Sequence, residues 1–243
     1  MNPPNHFDSI AEVFNRIWYF SDAYKDFVIG HIIGDLSLSR NDILADIGGG
    51  TGTFTSRLME EAKLQKAYCI EPSGAMCEEA AKLENITAFH TDAHAFLSTR
   101  TPFTKLLLKE VIHHIEEREP FWNAIFENLP HGGKLLIITR PQTVEFPLFQ
   151  KAKEAFFHNQ PSYELFESQL KECGFHVETA HRNHTFALPK KSWYEMLRHR
   201  FMSDLSLFSD EEIEAGIVEI EQIYPEETIN IIDNLIFITA TKK

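Results

Sequence analysis

Long apolar stretches are absent from this sequence: no segment approaches the roughly 18 successive apolar residues that a membrane-spanning helix needs. Basic residues are scarce as well, 23 against 36 acidic ones, for a net charge of −13. That balance argues against duplex nucleic acid and an anionic membrane as partners, because both attract a positive surface. Cysteine is limited to Cys69, Cys77 and Cys173 with no C-x-x-C pair. Reduced thiols and a cytoplasmic location are therefore expected rather than a disulfide framework. The opening Met-Asn-Pro-Pro-Asn-His lacks the basic-then-apolar order of a targeting segment. His113 and His114 are adjacent rather than four apart, and no Asp, Glu or Cys set accompanies them, so no metal is expected. Repeats and low-complexity tracts are missing too. These absences leave a small molecule as the expected partner of one core, in a monomer or homodimer, for which 243 residues at 43% hydrophobic suffice.

What the sequence does have is the stretch Ile43 to Thr55, Ile-Leu-Ala-Asp-Ile-Gly-Gly-Gly-Thr-Gly-Thr-Phe-Thr. A short apolar run ending in an acid, then glycines, then a helical pattern, predicts a buried strand turning tightly into a helix. Glycine permits positive φ and close approach of a ligand, and the helix start offers unpaired N–H groups. Such a turn suits a nucleotide-like molecule. No Lys follows the glycines as a phosphate-binding P-loop requires. The G-x-G-x-x-G dinucleotide pattern fails too, because its third glycine falls on Thr53 or Thr55.

The spacing Asp46-x-Gly48-x-Gly50-x-Gly52 resembles the first motif of the class I S-adenosylmethionine-dependent methyltransferases. Further along, Glu71 ends a second strand about twenty residues after the glycines, where an acid can accept both ribose hydroxyls. Phe7-Asp8-x-Ile10-Ala11-x-x-Phe14-Asn15 is similar to the Tyr-Asp-x-x-Ala-x-x-Tyr-Asp opening of small-molecule members, with both tyrosines replaced. The resemblance implies a doubly wound α/β fold: a seven-stranded, mostly parallel, Rossmann-like sheet with an antiparallel last strand and a helical cap. It implies S-adenosyl-L-methionine as cofactor, held by Asp46, Gly48, Gly50, Gly52, Glu71, Met76, Asp92, Ala93 and the Lys109-Glu110 turn. Met76 would lie against the adenine and Asp92 would hold its amino group. The activity implied is methyl transfer to a small-molecule N, O, S or C acceptor. Its alternative is a non-catalytic cofactor-binding regulatory subunit, and an NAD-dependent oxidoreductase stands behind both.

One domain over 1–243 is expected, with a helical lid in 1–40 and partial cap helices in 146–225. Strands are expected near 43–47, 67–70, 86–90, 104–108, 134–139, 175–181 and 234–241. Ser209-Asp210-Glu211-Glu212 reads as a capping box that starts a helix. In this fold class ligands sit beyond the carboxyl ends of the strands, near the switch point between strands one and four. His113 and His114 fall there as candidate catalytic residues, with His114 the leading base. Phe14, Tyr19 and Tyr24 would frame the acceptor, and Arg140 could bind a carboxylate of the substrate. A methyl donor that is already activated asks mainly for alignment and exclusion of water, so a missing catalytic triad does not count against an enzyme.

Overall fold

The computed structural model describes residues 6–8, 10, 11, 14 and 21–243. His6, Phe7, Asp8, Ile10, Ala11 and Phe14 are helical. Helix α1 follows (Asp22–Leu36), its first turn capped by the Ser21 hydroxyl, which accepts from the Tyr24 N–H. The chain then alternates β1 (Ile43–Ile47), α2 (Thr53–Glu61), β2 (Lys66–Glu71), α3 (Gly74–Ala81), β3 (Ile86–His90), α4 (Ala93–Ser98) and β4 (Lys105–Lys109). A 3-10 turn, Ile112–His114, leads to α5 (Arg118–Asn128) and β5 (Lys134–Thr139). The last third carries α6 (Gln150–Asn159), α7 (Tyr163–Glu172), β6 (His176–Pro189), α8 (Lys190–Arg198), α9 (Asp210–Ile223) and β7 (Thr228–Thr241). The expected capping box is formed at α9: Ser209 accepts from the Glu212 N–H and Glu212 accepts from the Ser209 N–H.

The seven strands stand in the order β3-β2-β1-β4-β5-β7-β6. β1 to β5 are parallel, and β7 runs antiparallel between β5 and β6. This is the expected seven-stranded, Rossmann-like methyltransferase architecture, and the order of chain reverses between β1 and β4.

Period-two alternation assigns each strand residue to a face. Ala45, Ile47, Leu106, Leu108, Leu135, Ile137, Ile236 and Ile238 pack with Phe96, Phe121, Trp122 and Phe166 of α4, α5 and α7. Leu44, Leu107, Leu136, Ile138, Leu235 and Phe237 pack with Val28, Ile29 and Ile32 of α1 and Leu58 of α2. Each fully buried large side chain contributes about 1.5–3 kcal/mol relative to exposure. The same parity places Asp46, Lys109, Arg140 and Asp233 on the α1 face, at the edge where the parallel strands end.

Two strands are much longer than expected. β6 reaches Pro189 rather than residue 181, and β7 begins at Thr228 rather than residue 234, paired over fourteen positions. β5 pairs only as far as Thr139 opposite Ile236, so the remainder projects as a two-stranded ribbon past the carboxyl ends of the sheet. The polar spacing of Arg182, Asn183, His184 and Thr185 is that of a ribbon with one wet face, which reads as loop when only apolar runs are counted. A third core cluster fills the space beside the ribbon. Leu188, Ile229 and Ile231 pack there with Trp193, Leu197, Phe201, Ile213 and Ile217, and with Ile10 and Ala11 of the N-terminal helix. This cluster is the cap.

Candidate functional site

β1 delivers Asp46 to the bottom of the glycine turn. Its carboxylate is almost fully buried and accepts from the Thr55 hydroxyl at 2.5 Å. Burial pushes its acidity up to about pH 6, against the pull of that hydroxyl and of Lys109. Gly48, Gly50 and Gly52 adopt φ of +70°, +57° and +75°, which strongly favours glycine. Their surroundings differ. A side chain at Gly48 would strike Val111 at 2.6 Å, and one at Gly52 would press on Leu83 and Ala80. Gly50 opens onto free space, with no atom within 4 Å of an added Cβ. It is the place where backbone can approach a ligand.

Glu71, at the end of β2, takes the Gly50 N–H on one oxygen at 3.0 Å and the Ser73 N–H on the other at 2.9 Å. The acid thus ties the glycine turn to the start of α3, and each oxygen retains a second lone pair for a donor such as a sugar hydroxyl. Burial raises its acidity threshold, opposed by those two N–H groups. Asp92 caps α4 by accepting from the Ala95 N–H at 2.8 Å, with Ala93 buried behind it. It is exposed, which is compatible with holding an amino group as well. Met76 is buried between α3 and the cap, packed with Ile10 and Ala11.

The N-terminal helix lies over these strand ends. Asp8 accepts from the Ser73 hydroxyl at 2.6 Å and from the Ala75 N–H at 3.2 Å. Phe7 meets the His114 ring edge-on at 6.2 Å and the Phe14 ring at 6.3 Å. His6 Nε2 pairs with the Arg200 carbonyl oxygen at 2.9 Å. Phe14, Phe7 and His114 thus make one aromatic row beneath the cap. Tyr19 lies outside the described residues.

The two histidines of the 3-10 turn differ in surroundings. Burial, reinforced by His114, holds His113 down to about pH 3, so at neutral pH it is an uncharged ring that does not take up a proton. His114 is also lowered by burial, but Asp204 across from it pulls the other way. Of the two rings, His114 is the one that faces a carboxylate.

Beyond the end of β4 the geometry differs from the sequence expectation. Arg140 is buried, and its guanidinium forks onto Asp233, Nε at 2.8 Å and Nη2 at 2.9 Å, while Nη1 donates to Glu110. Tyr24 is buried in the α1 face, and its hydroxyl donates to the same Asp233 at 2.8 Å. Neither side chain forms an open wall for an acceptor: Arg140 is held between two carboxylates, and Tyr24 is part of the hydrophobic core. Lys109 sits under this group with its ammonium 4.4 Å from the centre of the Phe54 ring, and burial brings it down to about pH 8. Asp233 was not anticipated from sequence, and Asp8 was read there only as part of the opening motif. The acid in the apolar run Ile231-Ile232-Asp233-Asn234-Leu235 was the available signal, since a buried strand keeps a carboxylate only when it is paired.

Comparison with known proteins bears on this arrangement. Residues 44–133 match a family described as a methyltransferase domain. No curated protein matches the sequence. Among solved structures, a putative methyltransferase from an antibiotic biosynthesis pathway of Anabaena variabilis superposes with TM-score 0.67 at 18% identity, over 88% of this chain and 96% of that one. The [4+2]-cyclase SpnF superposes with TM-score 0.66 at 14% identity, over 99% and 94%. Phosphoethanolamine N-methyltransferase 2 of Haemonchus contortus, in complex with phosphomonomethylethanolamine and S-adenosylhomocysteine, gives TM-score 0.63 at 20% identity, over 97% of this chain and 57% of that one. Residues 44–133 thus match a methyltransferase domain, and the strand order and these superpositions show the Rossmann-like methyltransferase fold.

Proposed function

We propose that this protein transfers a methyl group from S-adenosyl-L-methionine to a small-molecule acceptor. One observation carries the reading: a turn of alternating left-handed glycines, open at Gly50, is bounded by the carboxylates of Asp46 and Glu71 and holds no Lys or Arg within it. A pyrophosphate would meet acids there and no Lys or Arg of the turn itself, whereas a ribose diol and an ammonium group find acceptors. Glu71 would take the ribose hydroxyls, Asp92 and Ala93 the adenine edge, and Met76 its face. Asp46, Gly48, Gly50, Gly52 and the backbone of the Lys109-Glu110 turn would hold the amino-acid end. The bound sulfonium supplies a methyl carbon already activated for displacement.

The chain's own contribution is to hold the acceptor in line and keep water away. Phe14 and Phe7 with the cap wall off the space above His114, and Tyr19 belongs to the same proposal. Where the acceptor must lose a proton, His114 receives it. A small-molecule partner, without nucleic acid or membrane, in a cytoplasmic monomer or homodimer, completes the reading. Among the described residues no helix is long and apolar enough to cross a membrane.

Titration with S-adenosylhomocysteine and transfer of labelled methyl to a metabolite panel test it. Glu71→Ala weakens that binding by about 1–3 kcal/mol, the scale of a hydrogen bond to a charged group; undiminished affinity removes Glu71 from the site. A second reading, a cofactor-binding protein that does not transfer methyl, is favoured by the likeness to a protein named as a cyclase. Binding without turnover on any acceptor supports it.

A further inference from the structure

The topology divides the carboxyl strand ends into two halves. β1, β2 and β3 carry Asp46, Glu71 and Asp92, the acids assigned above to the methyl donor. On the other side of β1, at the ends of β4 and β5 and on β7, stand Glu110, Arg140 and Asp233.

Glu110 is held unusually. Its backbone is left-handed, φ 58°, and its N–H donates to the Ile138 carbonyl at 2.8 Å. The next residue, Val111, turns back onto Gly48, but the Glu110 side chain goes the other way, toward β5. Oε2 accepts from Arg140, whose orientation is fixed by the fork onto Asp233 and by the Phe146 ring 5.2 Å away. Oε1 is buried and has no hydrogen-bond partner. A buried carboxylate oxygen without a donor is costly, and a backbone strained to present it calls for a ligand.

The charges of the cluster add a second observation. Asp46, Glu110 and Asp233 face Lys109 and Arg140, so three carboxylates meet two cations. We infer that Glu110 Oε1 accepts an N–H of the methyl acceptor, which makes that acceptor an amine, with Arg140 and Asp233 as positioning residues. This rests on the methyl-transfer reading. In such a transfer the nitrogen lone pair forms the N–C bond and the S–C pair stays on sulfur; the ammonium so formed then releases a proton to water. Positive charge passes from sulfur to nitrogen, and Glu110 balances it at its destination. A carboxylate or thiolate acceptor would set a second negative charge beside Glu110. An alcohol has one hydrogen, and that goes to His114 as base, so none is left for Glu110 Oε1, whereas an amine keeps an N–H for it while its lone pair attacks.

The test is calorimetry on the full chain saturated with S-adenosylhomocysteine. Propylamine, benzylamine and phenethylamine are titrated against their matched alcohols and carboxylates, into the natural protein, Glu110→Gln and Arg140→Lys. The inference expects an amine to bind and its matched carboxylate not to. It expects amine affinity to fall about tenfold or more in both variants, roughly 1.4 kcal/mol or more. S-adenosylhomocysteine affinity, which reports an intact site, stays within about threefold, less than 0.7 kcal/mol. The inference is overturned if an alcohol or carboxylate binds better than its amine, if amine binding ignores Glu110→Gln, or if no amine binds. It is also overturned if S-adenosylhomocysteine affinity falls equally, because the oxygen then serves the donor. Failure of the natural protein to bind S-adenosylhomocysteine at all defeats the methyl-transfer reading itself.

Discussion

Asp46 carries a cost of burial that the Thr55 hydroxyl and Lys109 offset only in part. An acid whose folded pKa is raised by burial binds protons more tightly folded than unfolded, so its contribution to stability declines as pH rises from about 4 to about 6. Asp46→Asn therefore stabilises the ligand-free protein at pH 7 by up to about 3 kcal/mol. That advantage fades by pH 4, and S-adenosylhomocysteine binding weakens in the same variant. Urea unfolding at the two pH values, with calorimetry alongside, checks both halves. His113 has the opposite sign. Its folded pKa is lowered to about 3, so its neutral ring is stable above the ordinary histidine range and increasingly costly below it. The stability of the natural protein relative to His113→Gln falls by about 2 kcal/mol between pH 6.5 and 5. A flat difference across that range shows that the ring is hydrated. Comparing with the variant is essential, because Asp46 offsets part of the slope in the intact chain.

Among the secondary-structure elements, the N-terminal helix rests on α3 through Asp8. Ser73 keeps its own cap on the Met76 N–H whether or not Asp8 is there. Asp8→Ala therefore loosens the cover and leaves the sheet intact: S-adenosylhomocysteine dissociates about fivefold faster, as expected for roughly 1 kcal/mol of hydrogen bonding. Stopped-flow displacement measures it, and an unchanged rate removes Asp8 from the cover. The parallel half of the sheet was legible in the sequence because each strand there is a short, mainly apolar run closed by a polar residue or a glycine. Glu71 could be placed on a strand end from spacing alone. The ribbon was not legible, because Thr228-Ile229-Asn230-Ile231 alternates in period two and an apolar-run reading starts only at Leu235. Arg140 shows the same limit at a single residue. A basic residue closing a strand looks like a surface charge or a substrate anchor until the strand that neighbours it, 93 residues later, brings Asp233.

For the whole molecule, two clusters clad the sheet and a third joins the ribbon, α8, α9 and the N-terminal helix. A ligand seated at the strand ends touches the sheet and the underside of the cap together. At a concentration 100 times its dissociation constant, S-adenosylhomocysteine adds about 2.7 kcal/mol of stability. For a chain of this size that raises the melting temperature by roughly 5–10 °C. A calorimetric scan with and without ligand reads this directly, and coincident melting curves indicate that the ligand does not bind the folded form.

The ribbon also decides where traffic passes. Because β6 and β7 remain laddered from the sheet floor to the cap, the cap's far side is a fixed buttress, bolted to the core at every rung. On the methyl-transfer proposal, admission of a reactant and departure of its product are assigned to the opposite rim, where Asp8 accepts from Ser73. Changes that widen or narrow the doorway belong there.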